Sequence, residues 1–430
     1  MLISSKRAHF AEVGKLALIA FLGHGTIFLI NLLLARSLSI DNYESYVLAA
    51  AVFLLILALT SQGLDKYALR FIPGKFAARQ YGHAYRYICF ALTRLMIGSG
   101  IVALATWLWA YNLREYSQDT LTAIHYSLLA LPFGVATYFL CAAISATGHW
   151  VQAAAVTHLV VPLITLLLII CVLLSPVYPT GASGIACWLA AWCIGLMLSA
   201  LWLRRAWPLE ATRNTQRVMT DCWRRDTLPF WLYRLAMSVI AHIAIILLDW
   251  LQPSAAVTGA YAAAIATAAL ATILAAATNR LYARELSIIL EQKKYAAIGR
   301  LLRQRLYWLV PALSLYLALS LTFAEEILGL FRPSFATEGA TAFRILAFAT
   351  SASVAMGVSP ILLKHTRQSR RIFPAMPAAA VGQVLLLLIL VPRLGATGAA
   401  IAYAISIIGL YGYFTLASVG QIRTLRATGN

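Results

Sequence analysis

Twelve times along this chain a run of roughly twenty apolar residues is set off by a short polar, Pro or Gly stretch, and each run is the length that crosses a bilayer as a helix. The runs cover 15–35, 46–64, 90–111, 121–146, 152–174 and 184–203, then 228–250, 256–278, 306–324, 342–363, 373–391 and 396–418. Open sheet edges leave backbone groups without partners in hydrocarbon, so the runs read as helices. Of the 430 residues, 61% are hydrophobic and 11% charged, which leaves little chain for a soluble domain and makes lipid the main solvent. Lys6 and Arg7 precede the first run as they would in a secretory signal, but Leu16 to Ala35 is long enough to span, and it reads as a retained helix. The expected fold class is an all-α polytopic membrane protein of about 12 transmembrane helices.

The net charge of +19 would suggest nucleic acid in a soluble protein. Here the basic residues sit between apolar runs and follow a sidedness. When the loops are assigned alternately to two faces, all but five of the 34 Lys and Arg fall on one face, the exceptions being Arg36, Arg114, Arg332, Arg344 and Arg393. The positive-inside rule makes that face cytoplasmic and places both termini there, in a bacterial inner membrane, with no role for nucleic acid.

The chain also repeats itself. Gly181-Ala-Ser-Gly-Ile-Ala186, between the fifth and sixth runs, matches Gly395-Ala-Thr-Gly-Ala-Ala400, between the eleventh and twelfth, at an offset of 214 residues; Tyr46 and Tyr261 correspond at 215. Each repeat holds an even number of spans, so the two are expected to be parallel, related by an axis along the membrane normal, with a central cleft between them. The expected division is a six-helix lobe at 1–203, a basic cytoplasmic linker at 204–227 carrying Arg204, Arg205, Arg213, Arg217, Arg224 and Arg225, and a second six-helix lobe at 228–430.

Several chemistries are disfavoured. Cys89, Cys141, Cys171, Cys187, Cys193 and Cys222 form no C-x-x-C pair and have no ligand-spaced histidines, so they read as small apolar fillers, and no metal or cofactor is expected. Gly14-Lys15 precedes Leu16 and Gly74-Lys75 precedes Phe76, so neither makes a phosphate-binding loop. Energy is expected from gradients or from the cargo itself.

Gly63-Leu-Asp-Lys-Tyr-Ala-Leu-Arg-Phe-Ile-Pro73, after the second run, and the Tyr43 to Tyr46 turn before it resemble the Wzx-type O-antigen flippases, polysaccharide transporters of the multidrug/oligosaccharidyl-lipid/polysaccharide exporter superfamily. Glu44 departs from that family's usual glycine. The resemblance implies a non-enzymatic flippase for surface polysaccharide biosynthesis, moving an undecaprenyl-diphosphate-linked oligosaccharide to the periplasmic leaflet. It implies a polyprenyl-diphosphate saccharide and membrane lipids as partners, with a polysaccharide polymerase as a further one.

An anionic headgroup crossing the membrane needs cations or donors facing it. Arg234, Ser238, His242 and Asp249 fall at spacings of four, four and seven, within an arc of roughly 80° on a helix. Arg234, Ser238 and His242, with His24 and Asn31 from the equivalent first run, are the expected substrate-binding residues; their bland reading is interhelical hydrogen bonding and snorkelling. Carrying the 215-residue offset onto charged positions pairs Asp65 with Arg280 and Arg70 with Glu285, opposite signs at equivalent sites, so these four are the expected cytoplasmic gate. Two other functions compete. A cation-coupled multidrug or small-molecule exporter of the same superfamily calls for a carboxylate in a cavity helix, and the first run has none. A membrane enzyme, a polymerase or ligase on lipid-linked glycans, calls for a larger outer surface than the loop at 325–341.

Overall fold

The computed structural model describes residues 2–113, 116–176, 178–207, 221–252, 254–292, 294–366 and 369–428. Among them the chain is helical throughout, without strands, and eleven helices are long and apolar enough to cross a membrane. In order the helices are α1 (Leu2–Ser37), α2 (Ile40–Thr60), α3 (Leu64–Ala77), α4 (Tyr81–Leu113), α5 (Gln118–Ala146), α6 (Trp150–Ala155), α7 (Val161–Leu174) and α8 (Gly181–Ala206). They continue as α9 (Asp221–Leu251), α10 (Ala255–Ala268), α11 (Thr272–Glu291), α12 (Ala296–Thr322), α13 (Ala324–Gly329), α14 (Pro333–Ala355), α15 (Ser359–His365) and α16 (Ser369–Thr428).

Sixty residues of α-helix would reach about 90 Å, three times a hydrocarbon core. Accordingly α16 is two helices meeting at Gly395, whose φ of 50° and ψ of −129° lie outside the helical region, and the eleven helices make twelve passes. The element starts repeat: Ile40 and Ala255, Tyr81 and Ala296, Gln118 and Pro333 all stand 215 residues apart. The chain is an all-α polytopic membrane protein of two six-helix repeats.

Two compact units result, Leu33–Ile246 and Met1–Leu32 with Leu247–Asn430, so the divisions fall inside α1 and α9. The basic stretch expected as a linker at 204–227 lies largely outside the described residues. In the unit Leu33–Ile246, α5 packs against α2, α3, α4 and α8. Without hydrophobic drive between helices in lipid, close approach at small residues does the packing. A Cβ on Gly134 would come within 2.6 Å of the Phe53 ring, and one on Gly195 within 2.7 Å of Val161. The Gly-Ala-Ser-Gly stretch opens α8, where the Asp119 carboxylate accepts from the Gly181 and Ala182 amides at 3.0 and 3.1 Å. Two orphan donors meet a charge at the positive end of the helix, a cap contributing on the order of 2 kcal/mol. Between α6 and α7 residues 156–160 form a π-turn, because Pro162 has no N–H to close the ordinary bond onto His158.

In the other unit α14 packs against α10, α12, α13 and α16. The pass beginning with α14 breaks at 356–358, where Ser359 N bonds back to Met356 O at 3.0 Å and Pro360 supplies no donor. The Ala355 carbonyl therefore loses its helical partner. Arg305 of α12, only 1% exposed, takes that place. Its Nη1 donates to Ala355 O at 2.8 Å, and its Nη2 to Val354 O at 2.9 Å and to Asn279 Oδ1 at 3.0 Å.

Candidate functional site

The unit Leu33–Ile246 holds a buried ion pair assembled by a break in the chain. Helix α2 ends at Thr60, and Gln62 (φ 46°) and Gly63 (φ 70°) follow in the left-handed region. Glycine is required at 63 for a second reason: a Cβ there would lie 2.6 Å from the Thr227 carbonyl oxygen and 2.6 Å from the Trp231 amide nitrogen, so the backbone of α9 rests directly on the turn. The turn starts α3 in a new direction with Asp65 in its first turn, where the helix dipole favours a carboxylate.

Three side chains on one face of α9 engage this break. The Trp231 indole N–H donates to Leu59 O at 2.8 Å, meeting one of the carbonyls that the end of α2 exposes. Arg234 donates through Nη1 to Asp65 Oδ2 in an ion pair whose side chains are 15% and 7% exposed. Ser238 Oγ donates to Leu54 O at 3.0 Å. Other helices support the pair. The Arg234 guanidinium lies over the Tyr138 ring of α5, 5.2 Å from its centroid, and Tyr87 of α4 donates to Leu64 O at 2.7 Å. Arg94 donates to Gln62 Oε1, holding the turn from the α4 side. Behind Tyr138 stand Trp192, Phe53 and Trp188, with centroid separations of 5.4 Å for Tyr138 to Trp192, 5.8 Å for Trp192 to Phe53 and 4.7 Å for Phe53 to Trp188. The second carboxylate oxygen, Asp65 Oδ1, is buried with no hydrogen-bond partner.

A carboxylate beside an aromatic face is the chemistry that takes a cation. In this structure the cation is the protein's own guanidinium.

Of the expected substrate-binding residues, Arg234 and Ser238 stand on the break, and His242 is half-buried further along α9. The stripe does not stay together: Asp249 is buried in the other unit, beyond the division at 246. Asn31 spends its amide on its own helix, donating to Ile27 O at 2.9 Å, and His24 is half-buried; both belong to the unit that includes Met1–Leu32. The expected gate partner of Asp65 was Arg280, but the Asp65 carboxylate is engaged by Arg234. The Arg280 side chain lies outside the described residues, and Arg70 and Glu285 are exposed on α3 and α11. Sequence reasoning missed Tyr138, whose signal as one tyrosine among 20 is nil. It also missed Arg305, which a span drawn from 306 counted as a loop charge; the available signal was Arg305 itself, in helical register with the apolar run after it. Among the described residues no three His, Cys, Asp or Glu side chains gather as a metal site.

Fold and site together define a polytopic helical membrane protein with a cation-bearing carboxylate inside one unit. No family model and no curated protein matches the chain. Solved structures do. The chain is similar to an inward-facing multidrug resistance MATE family transporter of the MOP superfamily, at TM-score 0.72 and 14% identity over 96% of both chains. It is similar to a substituted form of a Vibrio cholerae MATE transporter at TM-score 0.67 and 16% identity, over 98% of both. A MOP superfamily transporter from Pyrococcus furiosus, described as having a binding pocket of reversed polarity that suggests a different function, matches at TM-score 0.65 and 15% identity over 96% of both. The chain therefore has the fold of the MATE transporters of the MOP superfamily. That finding overturns the expected lipid-linked oligosaccharide flippase: the superfamily stands, while the matched folds named above are multidrug and MOP transporters and carry no polysaccharide connection. The resemblance rested on one eleven-residue stretch, and the structure gives Gly63 and Asp65 within it local jobs: a left-handed turn and a pair for Arg234.

Proposed function

We propose that this protein is a cation-coupled exporter of small organic molecules of the multidrug type and not an enzyme. The observation that carries this reading is the fold likeness to a multidrug MATE transporter along 96% of each chain. The site supports it. The absence of an acid from the first span weighed against an exporter on sequence grounds, and the structure supplies a buried carboxylate elsewhere, Asp65, on an aromatic floor. Such a site exchanges cations without nucleotide chemistry, in keeping with a chain that lacks a phosphate-binding loop.

The test is efflux from proteoliposomes loaded with ethidium or a similar fluorescent cation, under an imposed proton or sodium gradient. Gradient-dependent efflux above protein-free vesicles is expected; no efflux under either gradient would sink the proposal. The membrane is taken to be the bacterial cytoplasmic one with both termini inside, on the sidedness of Lys and Arg. In a cysteine-free background a single cysteine at Ser254 should then react with an impermeant thiol reagent added outside whole cells, and one at Thr215 should not. Reaction at Thr215 alone would invert the orientation.

A further inference from the structure

The three contacts that α9 makes with the broken end of α2 are not equivalent. Trp231 to Leu59 O and Ser238 to Leu54 O are neutral hydrogen bonds to backbone carbonyls, 2.8 and 3.0 Å long, and nothing near neutral pH changes them. Between them, at i+3 and i−4, Arg234 holds Asp65 by charge. A proton added to the carboxylate cancels that charge. The partnerless Oδ1 is where the proton can sit, since the Arg234 contact occupies Oδ2. The cost of the change then falls on Arg234. A guanidinium largely withdrawn from water and stripped of its counter-charge keeps only the Tyr138 face, on the order of 2 kcal/mol, against a desolvation penalty of several. The side chain must leave for water or another anion. Helix α9 has to move with it, because Gly63 permits backbone contact closer than any side chain would allow, and that contact is kept only while α9 is seated.

We propose that Asp65 is the proton-binding site of this protein and that its occupancy unlatches α9 from the α2–α3 turn. The ligand is a single proton, accepted at Oδ1 and returned from it; no other bond forms or breaks. This inference rests on the exporter reading only for what the movement is used for, since the latch itself is a property of one unit.

The groups facing the carboxylate are Arg234 from α9, Tyr138 and Cys141 from α5, Tyr87 from α4 and Tyr67 from α3. Tyrosines and a thiol keep their protons below pH 8, and arginine keeps its charge, so Asp65 is the one member of this group that a fall from pH 8 to pH 5 can titrate. His242, two turns along α9, is the titratable neighbour on the same helix that a control must separate.

The test places nitroxide labels on cysteines at Leu69 of α3 and Leu228 of α9, both exposed and both in the same unit, in a chain lacking its native cysteines. Distances are read by electron paramagnetic resonance at pH 8 and pH 5. The wild-type pair should give one short distance at pH 8 and a second, longer population at pH 5. Asp65→Asn, which carries the neutral amide at all pH values, should show the longer population at both. If the asparagine variant inserts poorly, Arg234→Gln removes the other half of the pair and should likewise open the seam at pH 8. The proposal is overturned if either variant keeps the short distance at pH 8, or if Asp65→Asn still lengthens on acidification as the wild type does, which would assign the switch to His242. If the wild type moves no organic cation while its distance still switches with pH, the exporter reading fails and the proton site stands.

Discussion

Replacing Arg305 with methionine is expected to cost about 3 kcal/mol of stability, and replacing it with alanine more. The guanidinium satisfies Ala355 O, Val354 O and Asn279 Oδ1, and Ala355 O has lost its helical donor at the 356–358 break. A buried acceptor left without a partner costs about 1–3 kcal/mol, and methionine strands at least the Ala355 and Asn279 oxygens while filling the space. Part of this is returned, because a buried charge no longer has to be desolvated. Alanine adds a cavity. Lysine should fall between wild type and methionine: one ammonium reaches a carbonyl but cannot hold two carbonyls and an amide in one plane. Thermal unfolding in detergent, followed by size-exclusion recovery after heating, orders the four proteins. A methionine variant as stable as wild type would show that the break is held by Pro360 and Gly357 alone. The position 215 residues earlier is Phe90, and α5 has no break to clasp, so the device belongs to the second repeat only.

The second large effect concerns Arg234. Arg234→Ala leaves the Asp65 carboxylate 7% exposed and without its cation, with Oδ1 already lacking a partner, and is expected to destabilise the unit Leu33–Ile246 by about 3–5 kcal/mol. Asp65→Asn strands the guanidinium less severely, since Arg234 is the more exposed of the two, and should cost about half as much. The pair acts as a unit, so Asp65→Asn with Arg234→Gln should lie well above the sum of the single losses. A double-mutant cycle on unfolding in detergent reads the coupling. Additive losses would mean that the two side chains contribute independently and that α9 is held at the α2–α3 turn by Trp231 and Ser238.

Twelve apolar runs, their spacing and the sidedness of Lys and Arg come from local chemistry: hydrocarbon demands about 20 apolar residues per pass whatever surrounds them, so the passes, the repeat and the all-α class were legible before any coordinates. Boundaries were legible too, with α5 at Gln118–Ala146 against an expected 121–146. Amphipathic α3 and the break after α14 were not, because neither is an apolar run. The partner of Asp65 was beyond sequence for a different reason. The repeat offset relates equivalent positions and so pointed to Arg280, but an ion pair is made between neighbours, and Arg234 lies 169 residues away from Asp65 at no repeat spacing. Only tertiary structure, by seating α9 on a glycine too small to hold it off, brings that arginine onto that carboxylate. What the chain by itself determined is the set of passes and where charge is tolerated. What the packing decided is which buried charge answers which, since that depends on distances of a few ångströms between helices that composition does not encode.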